Sequence, residues 1–141
     1  MSTAVERQEE IIDEFAFFED WMQKYEHIIE LGKDLPLIDE QFKTDEQLIK
    51  GCQSRVWLYA ELKDGKIHFT ADSDAIITKG MVALMIRVLD GLTPLEVVDA
   101  DMSFIKEIGL TEHLSPTRSN GLASMVKQMK FYGLAFSGRQ E

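Results

Sequence analysis

The stretch "VWLYAELKDGKIHFTAD", residues 56–72, constrains the fold more than any other part of this chain. Two runs alternate between apolar and polar residues, the signature of strands buried on one face. Asp64-Gly65 between them is the preferred pair for a two-residue type I′ hairpin turn. Such a turn leaves no freedom of register. Leu62 pairs with Ile67, Ala60 with Phe69 and Leu58 with Ala71, so one face is continuously apolar. The other face carries Trp57, Tyr59, Glu61, His68 and Thr70. Extended further, the register puts Trp57 opposite Asp72 and Arg55 opposite Asp74.

Most of the remaining chain reads as helix. Residues 4–32 form one long helical pattern, with Phe15, Phe18, Met22, Tyr25 and Ile29 at spacings of three and four on one face. That aromatic stripe is core material rather than a ligand pocket. Gly32 is the expected C-terminal cap, with Pro36 beyond it. Residues 33–51 connect to the hairpin, with a short helical turn. "AIITKGMVALMIRVLDGLTP", residues 75–94, is apolar on nearly every side, so it predicts a central helix ended by Gly91 and Pro94. Short helices are expected over 94–99 and 102–108. In the last segment Ser115 is a good N-cap, Pro116 suits the first helical position, and Leu122, Met125, Val126 and Met129 form a buried stripe. The expectation is a single α+β domain over residues 1–141, a small antiparallel sheet packed with helices.

Charge and cysteine count exclude several functions. Fifteen Lys+Arg against 25 Asp+Glu give a formal net charge of -10. That field repels a phosphate backbone and an anionic membrane surface, so neither nucleic acid nor membrane is an expected partner. "MSTAVERQEEIIDEF" at the N-terminus has early charges and no apolar core, so no secretory signal is expected. The most apolar run, residues 81–86, is too short to span a bilayer. One cysteine permits no intramolecular disulfide, and cytoplasm is the default compartment. With one Cys and three histidines (His27, His68, His113) lacking ligand spacing, no metal site within the chain is expected.

Chemistry therefore centres on Cys52, between Gly51 and the first strand, at the open end of the hairpin near "DSDA" (72–75). A lone cysteine is commonly a small core hydrophobe. The functional reading is a nucleophile on a loop, reactive when something lowers a thiol pKa that is about 8.5 when free. Two features could do this: the N-terminus of the last helix, and Arg118 in its first turn. Acidic residues are the usual choice there, and an arginine can equally serve a surface ion pair. Asp72 and Asp74 share a face if extended; Arg55 is a cross-strand partner for Asp74, and either carboxylate can cap the following helix. No nucleophile elbow supports a Ser–His–Asp triad, and "NGL" at 120–122 is too short for a phosphate loop.

Four blocks together, "GCQSRVW" (51–57), "ADSDA" (71–75), "KG" (79–80) and "LSPTRSNGL" (114–122), resemble the SufE family, including its CsdE branch. The resemblance runs from residue 14 into the last helix without departure at the motif positions. Only the first dozen residues and the tail after Tyr132 are individual. It implies a SufE/IscU-like fold and a sulfur acceptor and activator for a SufS- or CsdA-like cysteine desulfurase. Sulfur would arrive as a persulfide on Cys52 and pass to an iron–sulfur scaffold or other acceptor. Such a protein is an accessory subunit with no cofactor of its own, since pyridoxal phosphate belongs to the desulfurase. It implies a resting loop that tucks the cysteine against an apolar surface, which raises the thiol pKa. Arg118 matches the family's SPTR arginine, for anion stabilisation or docking. Asp74 is assigned to loop positioning or docking, and Gln53, Ser54 and Trp57 to loop support. Monomer and homodimer are both compatible with the sequence. Two other classes compete: a thiol redox sensor, which would need a resolving cysteine from another molecule, and a non-catalytic interaction domain with a structural Cys52.

Overall fold

Strand β1 (Val56–Lys63) pairs antiparallel with β2 (Lys66–Ser73) in the computed structural model, which describes residues 3–52 and 54–138. Asp64 and Gly65 have φ of 54° and 76°, both positive as a type I′ turn requires. The register is the expected one, from Lys63 opposite Lys66 back to Val56 opposite Ser73. Beyond the ladder it continues in altered form. The Asp74 amide donates to the Arg55 carbonyl (3.2 Å), and the Arg55 amide donates to the Asp74 carboxylate (3.1 Å).

Two strands alone are a marginal sheet, and their open edges need cover. Backbone around Leu37 and Leu92 bonds the outer edge of β2, and the Ile49 amide donates to Val56 on that of β1. The Asp90 carboxylate accepts from the Phe69 amide at 2.7 Å. Residues 33–51 make two 3₁₀ turns, Glu40–Phe42 and Asp45–Gln47, which cover part of the aromatic face. Phe42 stacks on Tyr59 with centroids 4.1 Å apart, and the Lys43 ammonium lies 4.7 Å over the Trp57 ring.

The apolar face of the hairpin packs on α3 (Ile76–Leu89), whose Met81, Val82, Leu84, Met85, Val88 and Leu89 are all buried. This helix is central, as its all-round apolar character predicts. The fold is α+β. Chain order adds α1 (Thr3–Ala16), α2 (Trp21–Gly32), α4 (Pro94–Asp99), α5 (Phe104–Glu107), α6 (Leu110–His113) and α7 (Pro116–Phe136). The Ser115 hydroxyl caps α7 by accepting from the Arg118 amide (3.3 Å), and Pro116 occupies the first turn.

Five local expectations are corrected. Residues 4–32 are two helices, broken where Asp20 turns extended and its carboxylate caps α2 through the Gln23 amide (2.9 Å). The break swings α2 around, leaving Met22 exposed and burying Ile28 instead. Gly32 does not cap α2; Lys33 does, in helical conformation, and Gly32 sits against the backbone of Gly80. Neither Asp72 nor Asp74 caps α3, whose N-cap is Ala75 with no side-chain bond. The 102–108 segment is helical only at Phe104–Glu107, and left-handed Gly109 then starts α6. Buried Leu122, Met125 and Met129 line one face of α7, while Val126 is half-buried.

Candidate functional site

Cys52 is placed by its neighbour. Gly51 has φ of +92°, a left-handed conformation that glycine adopts without steric cost. A β-carbon on Gly51 would also stand 2.6 Å from the Ser124 hydroxyl oxygen of α7. The turn at Gly51 thus directs the following thiol against α7. There Cys52 is half-buried, and its Sγ–H donates to the Gly121 carbonyl at 3.5 Å. Burial pushes the thiol pKa up. In this resting arrangement burial is the one cause of the shift, and neither thiolate-favouring feature expected from the sequence offsets it.

The thiol faces a cavity of about 310 Å³ between three pieces of chain. The loop supplies Cys52 and Ser54, and the start of α3 supplies Thr78 and Met81. The start of α7 supplies Thr117 and Arg118, with Gly121 one turn on and Met125 two. The lining is mixed rather than uniformly apolar. Two methionines form one part, and three hydroxyl side chains with one guanidinium form the rest. Arg118 is the one formal charge among the described lining residues.

The Arg118 guanidinium donates to the Tyr25 hydroxyl, linking the start of α7 to α2. Its charge is thus near the thiol but engaged elsewhere. Asp74 lies outside the lining of the cavity. Its exchange with Arg55, reinforced by the Ser73 hydroxyl on the Arg55 carbonyl (2.8 Å), anchors the chain three residues after Cys52. Asp72 is occupied differently: burial raises its pKa, but Lys43 (2.9 Å), the Ser73 amide (2.8 Å) and Lys79 (3.3 Å) outweigh that and lower it. The two carboxylates therefore form no acid–base pair. Trp57, expected to support the loop, is bridged to Leu48 and covered by Lys43. Gln53 lies outside the described residues. No group of three or more potential metal-ligating side chains occurs among the described residues, and no helix there is long and apolar enough to cross a membrane.

Residues 9–132 match the sequence profile of SufE, described as an Fe–S metabolism associated domain. The chain belongs to the SufE family. It is 39% identical over 127 residues to an uncharacterized SufE-like protein of Rhizobium meliloti, covering 86% of this chain and 91% of that one. A SufE-like protein of Rhizobium etli is 40% identical over 127 residues, covering 86% of each chain. One from Synechocystis is 39% identical over 126 residues, covering 89% of this chain and 79% of the relative. The solution structure of a hypothetical protein from Thermus thermophilus superposes with a TM-score of 0.79 at 17% identity, over 94% of this chain and 97% of that one. That likeness supports the fold.

Within this SufE-family chain the structure brings the first and last of the four sequence blocks to one cavity, through Cys52 and Ser54 on one side and Thr117 and Arg118 on the other. No residue of "DSDA" is in its lining. Sequence reasoning misses Tyr25, Thr78, Thr117 and Gly121 as site residues. Periodicity alone assigns Tyr25 to the core, whereas its hydroxyl meets Arg118. Thr78 carries a visible signal as a hydroxyl in a helix whose other residues are apolar except Lys79 and Arg87.

Proposed function

We propose that this protein is the sulfur acceptor and activator of a cysteine desulfurase, taking sulfane sulfur as a persulfide on Cys52 and passing it toward iron–sulfur cluster assembly. The observation that carries this is a single thiol on a glycine-hinged loop, held neutral over a cavity rather than locked in the core. A thiol that must enter another protein's active site needs a loop that can leave its own. Family membership supports the partner class, of the SufS or CsdA kind.

The resting state suits a carrier between turnovers. Desolvation keeps the sulfur protonated and donating to Gly121, so it reacts slowly with solvent oxidants. When the loop swings out, rehydration restores an ordinary thiol pKa and the proton passes to water or to a base on the partner. The Cys52 thiolate then attacks the outer sulfur of the partner's persulfide in line. A new S–S bond forms at Cys52 Sγ, the partner's S–S bond breaks, and its cysteine leaves as a thiolate with the electron pair. Clearing that persulfide frees the desulfurase for another substrate, which is the activating effect. Arg118 stabilises the sulfur anion or docks the partner, and Asp74 holds the far end of the loop through Arg55. The protein needs no cofactor for this exchange, and the pyridoxal phosphate is the desulfurase's. The work is cytoplasmic, where thiols stay reduced.

The test is intact mass spectrometry after incubation with a desulfurase of either branch, pyridoxal phosphate and free cysteine. Wild type is expected to gain one sulfur atom that a reductant removes, and Cys52→Ser to gain none. No gain with desulfurases of both branches would sink the proposal.

A further inference from the structure

Thr78 stands in the first turn of α3, only 6% exposed, and lines the Cys52 cavity. A threonine in a helix commonly satisfies its hydroxyl by bonding back to a carbonyl one turn earlier. This one makes no hydrogen bond among the described residues, yet its hydroxyl is not sealed into the core, so the space it opens to is the cavity. A polar group so placed costs free energy unless something enters to meet it. The helix start around it is also bare, since Ala75 at the N-cap offers no side-chain acceptor to the first amides of α3. An unpartnered donor on a largely buried side chain and an uncapped helix start thus border the same space as the thiol.

What enters that space follows from the proposed chemistry. A persulfide extends the Cys52 side chain by one S–S bond of about 2.05 Å. The cavity, about 310 Å³, has room for that atom. An anionic sulfur is a far better acceptor than a neutral thiol, and hydrogen bonds to charged groups are the stronger kind. We propose that the Thr78 hydroxyl binds the outer sulfur of the Cys52 persulfide when the loaded loop rests in its cavity, retaining the sulfur until a partner draws the loop out. This rests on the carrier reading. Thr78 has no assigned part in accepting sulfur; its role is to hold it.

The experiment loads the purified chain with inorganic polysulfide in the absence of any desulfurase. The Cys52 thiolate takes one sulfur from the polysulfide, which leaves one sulfur shorter. After desalting, glutathione is added and loss of the added sulfur is followed by intact mass. In that step the glutathione thiolate attacks the outer sulfur, the Sγ–S bond breaks, and Cys52 leaves as a thiolate while glutathione persulfide forms. Thr78→Val, close in shape and lacking the hydroxyl, is expected to lose sulfur about tenfold faster than wild type, or about 1.4 kcal/mol of retention. Thr78→Ser, which keeps the hydroxyl, is expected to follow wild type. Alkylation of unloaded Cys52 is expected to be the same in all three. If wild type loads but Thr78→Val releases sulfur at the wild-type rate, the inference fails and the carrier reading stands. Equal acceleration in Thr78→Ser, or equal acceleration of alkylation in the unloaded valine variant, overturns it as loop loosening. A wild type that gains no sulfur removes the carrier reading and this inference together.

Discussion

Gly80 meets the backbone of Ile28 so closely that a β-carbon on it would stand 2.0 Å from the Ile28 carbonyl oxygen. The contact is reciprocal, since a β-carbon on Gly32 would lie 2.9 Å from the Gly80 amide nitrogen. The crossing of α2 on α3 therefore excludes side chains from both sides. It also sets how far Tyr25, on α2, stands from the cavity that α3 helps to wall. Gly80→Ala must push the helices apart, and overpacking of this kind typically costs about 1–3 kcal/mol. The expected loss is at the upper end of that range in chemical denaturation, with slower sulfur acceptance. A variant as stable as wild type would show that the two helices can slide at no cost.

Gly51→Ala forces a side chain into a left-handed conformation and toward Ser124. Strain of this kind costs about 1–2 kcal/mol, and the chain can relieve it by letting the loop leave the cavity. Cys52 alkylation at neutral pH is expected to accelerate while global stability falls by no more than about 2 kcal/mol. Unchanged alkylation would mean that the glycine does not seat the loop.

The Cys52 thiol has its pKa raised by burial, so the fold prefers its protonated form. The corresponding stability is fully present below the ordinary thiol value of about 8.5 and is lost as pH rises through the higher native value. Wild type is expected to lose stability across that alkaline window more steeply than Cys52→Ser, measured by denaturation at a series of pH values. Parallel curves for the two proteins would contradict it.

Glu14 accepts two bonds from Arg87, at 3.0 and 3.1 Å, and a further one from His27. The Arg87 hydrogen bonds hold its carboxyl below the usual range against an opposing effect of burial. Its contribution is present above the ordinary value of about 4.3 and is lost as pH falls through the lower native one. Because the group is partly exposed, Glu14→Gln is expected to cost only about 1 kcal/mol at neutral pH and to flatten the acid limb of the stability curve. An acid limb as steep as that of wild type would locate the linkage elsewhere.

Tyr25→Phe removes the hydroxyl that accepts from Arg118 and leaves the ring in place. A hydrogen bond to a charged group is worth about 1.5–3 kcal/mol. With Arg118 no longer held, sulfur acceptance is expected to slow about fivefold or more, a factor of ten being about 1.4 kcal/mol. Arg118→Lys keeps the charge but not the planar fork, and should slow it further. The measurement is the rate of persulfide appearance on Cys52 with desulfurase concentration varied. An effect of Tyr25→Phe that persists in an Arg118→Lys background would show that the tyrosine acts independently.

Local chemistry is legible wherever a few adjacent residues settle the outcome. Asp64-Gly65 and the alternation around it hold to the last pair, and Ser115-Pro116 opens α7 as expected. The helix break is legible in kind: "DWMQ" places an N-cap aspartate three residues before a glutamine, and that cap prevails over an apolar periodicity that runs through it. Gly32 and Gly80 could not be read as a crossing, because nothing in either neighbourhood says which other helix approaches.

The sequence by itself determined the hairpin register, the start of the last helix, and the presence of one thiol beside a glycine. Those are matters of spacing along the chain and of backbone conformation one residue at a time. Only the tertiary structure decided that the thiol rests on the Gly121 carbonyl, that Arg118 meets Tyr25, and that Thr78 shares the thiol's cavity with no hydrogen bond to its hydroxyl among the described residues. Each depends on how much water is excluded, and on which groups from distant segments arrive where the water was.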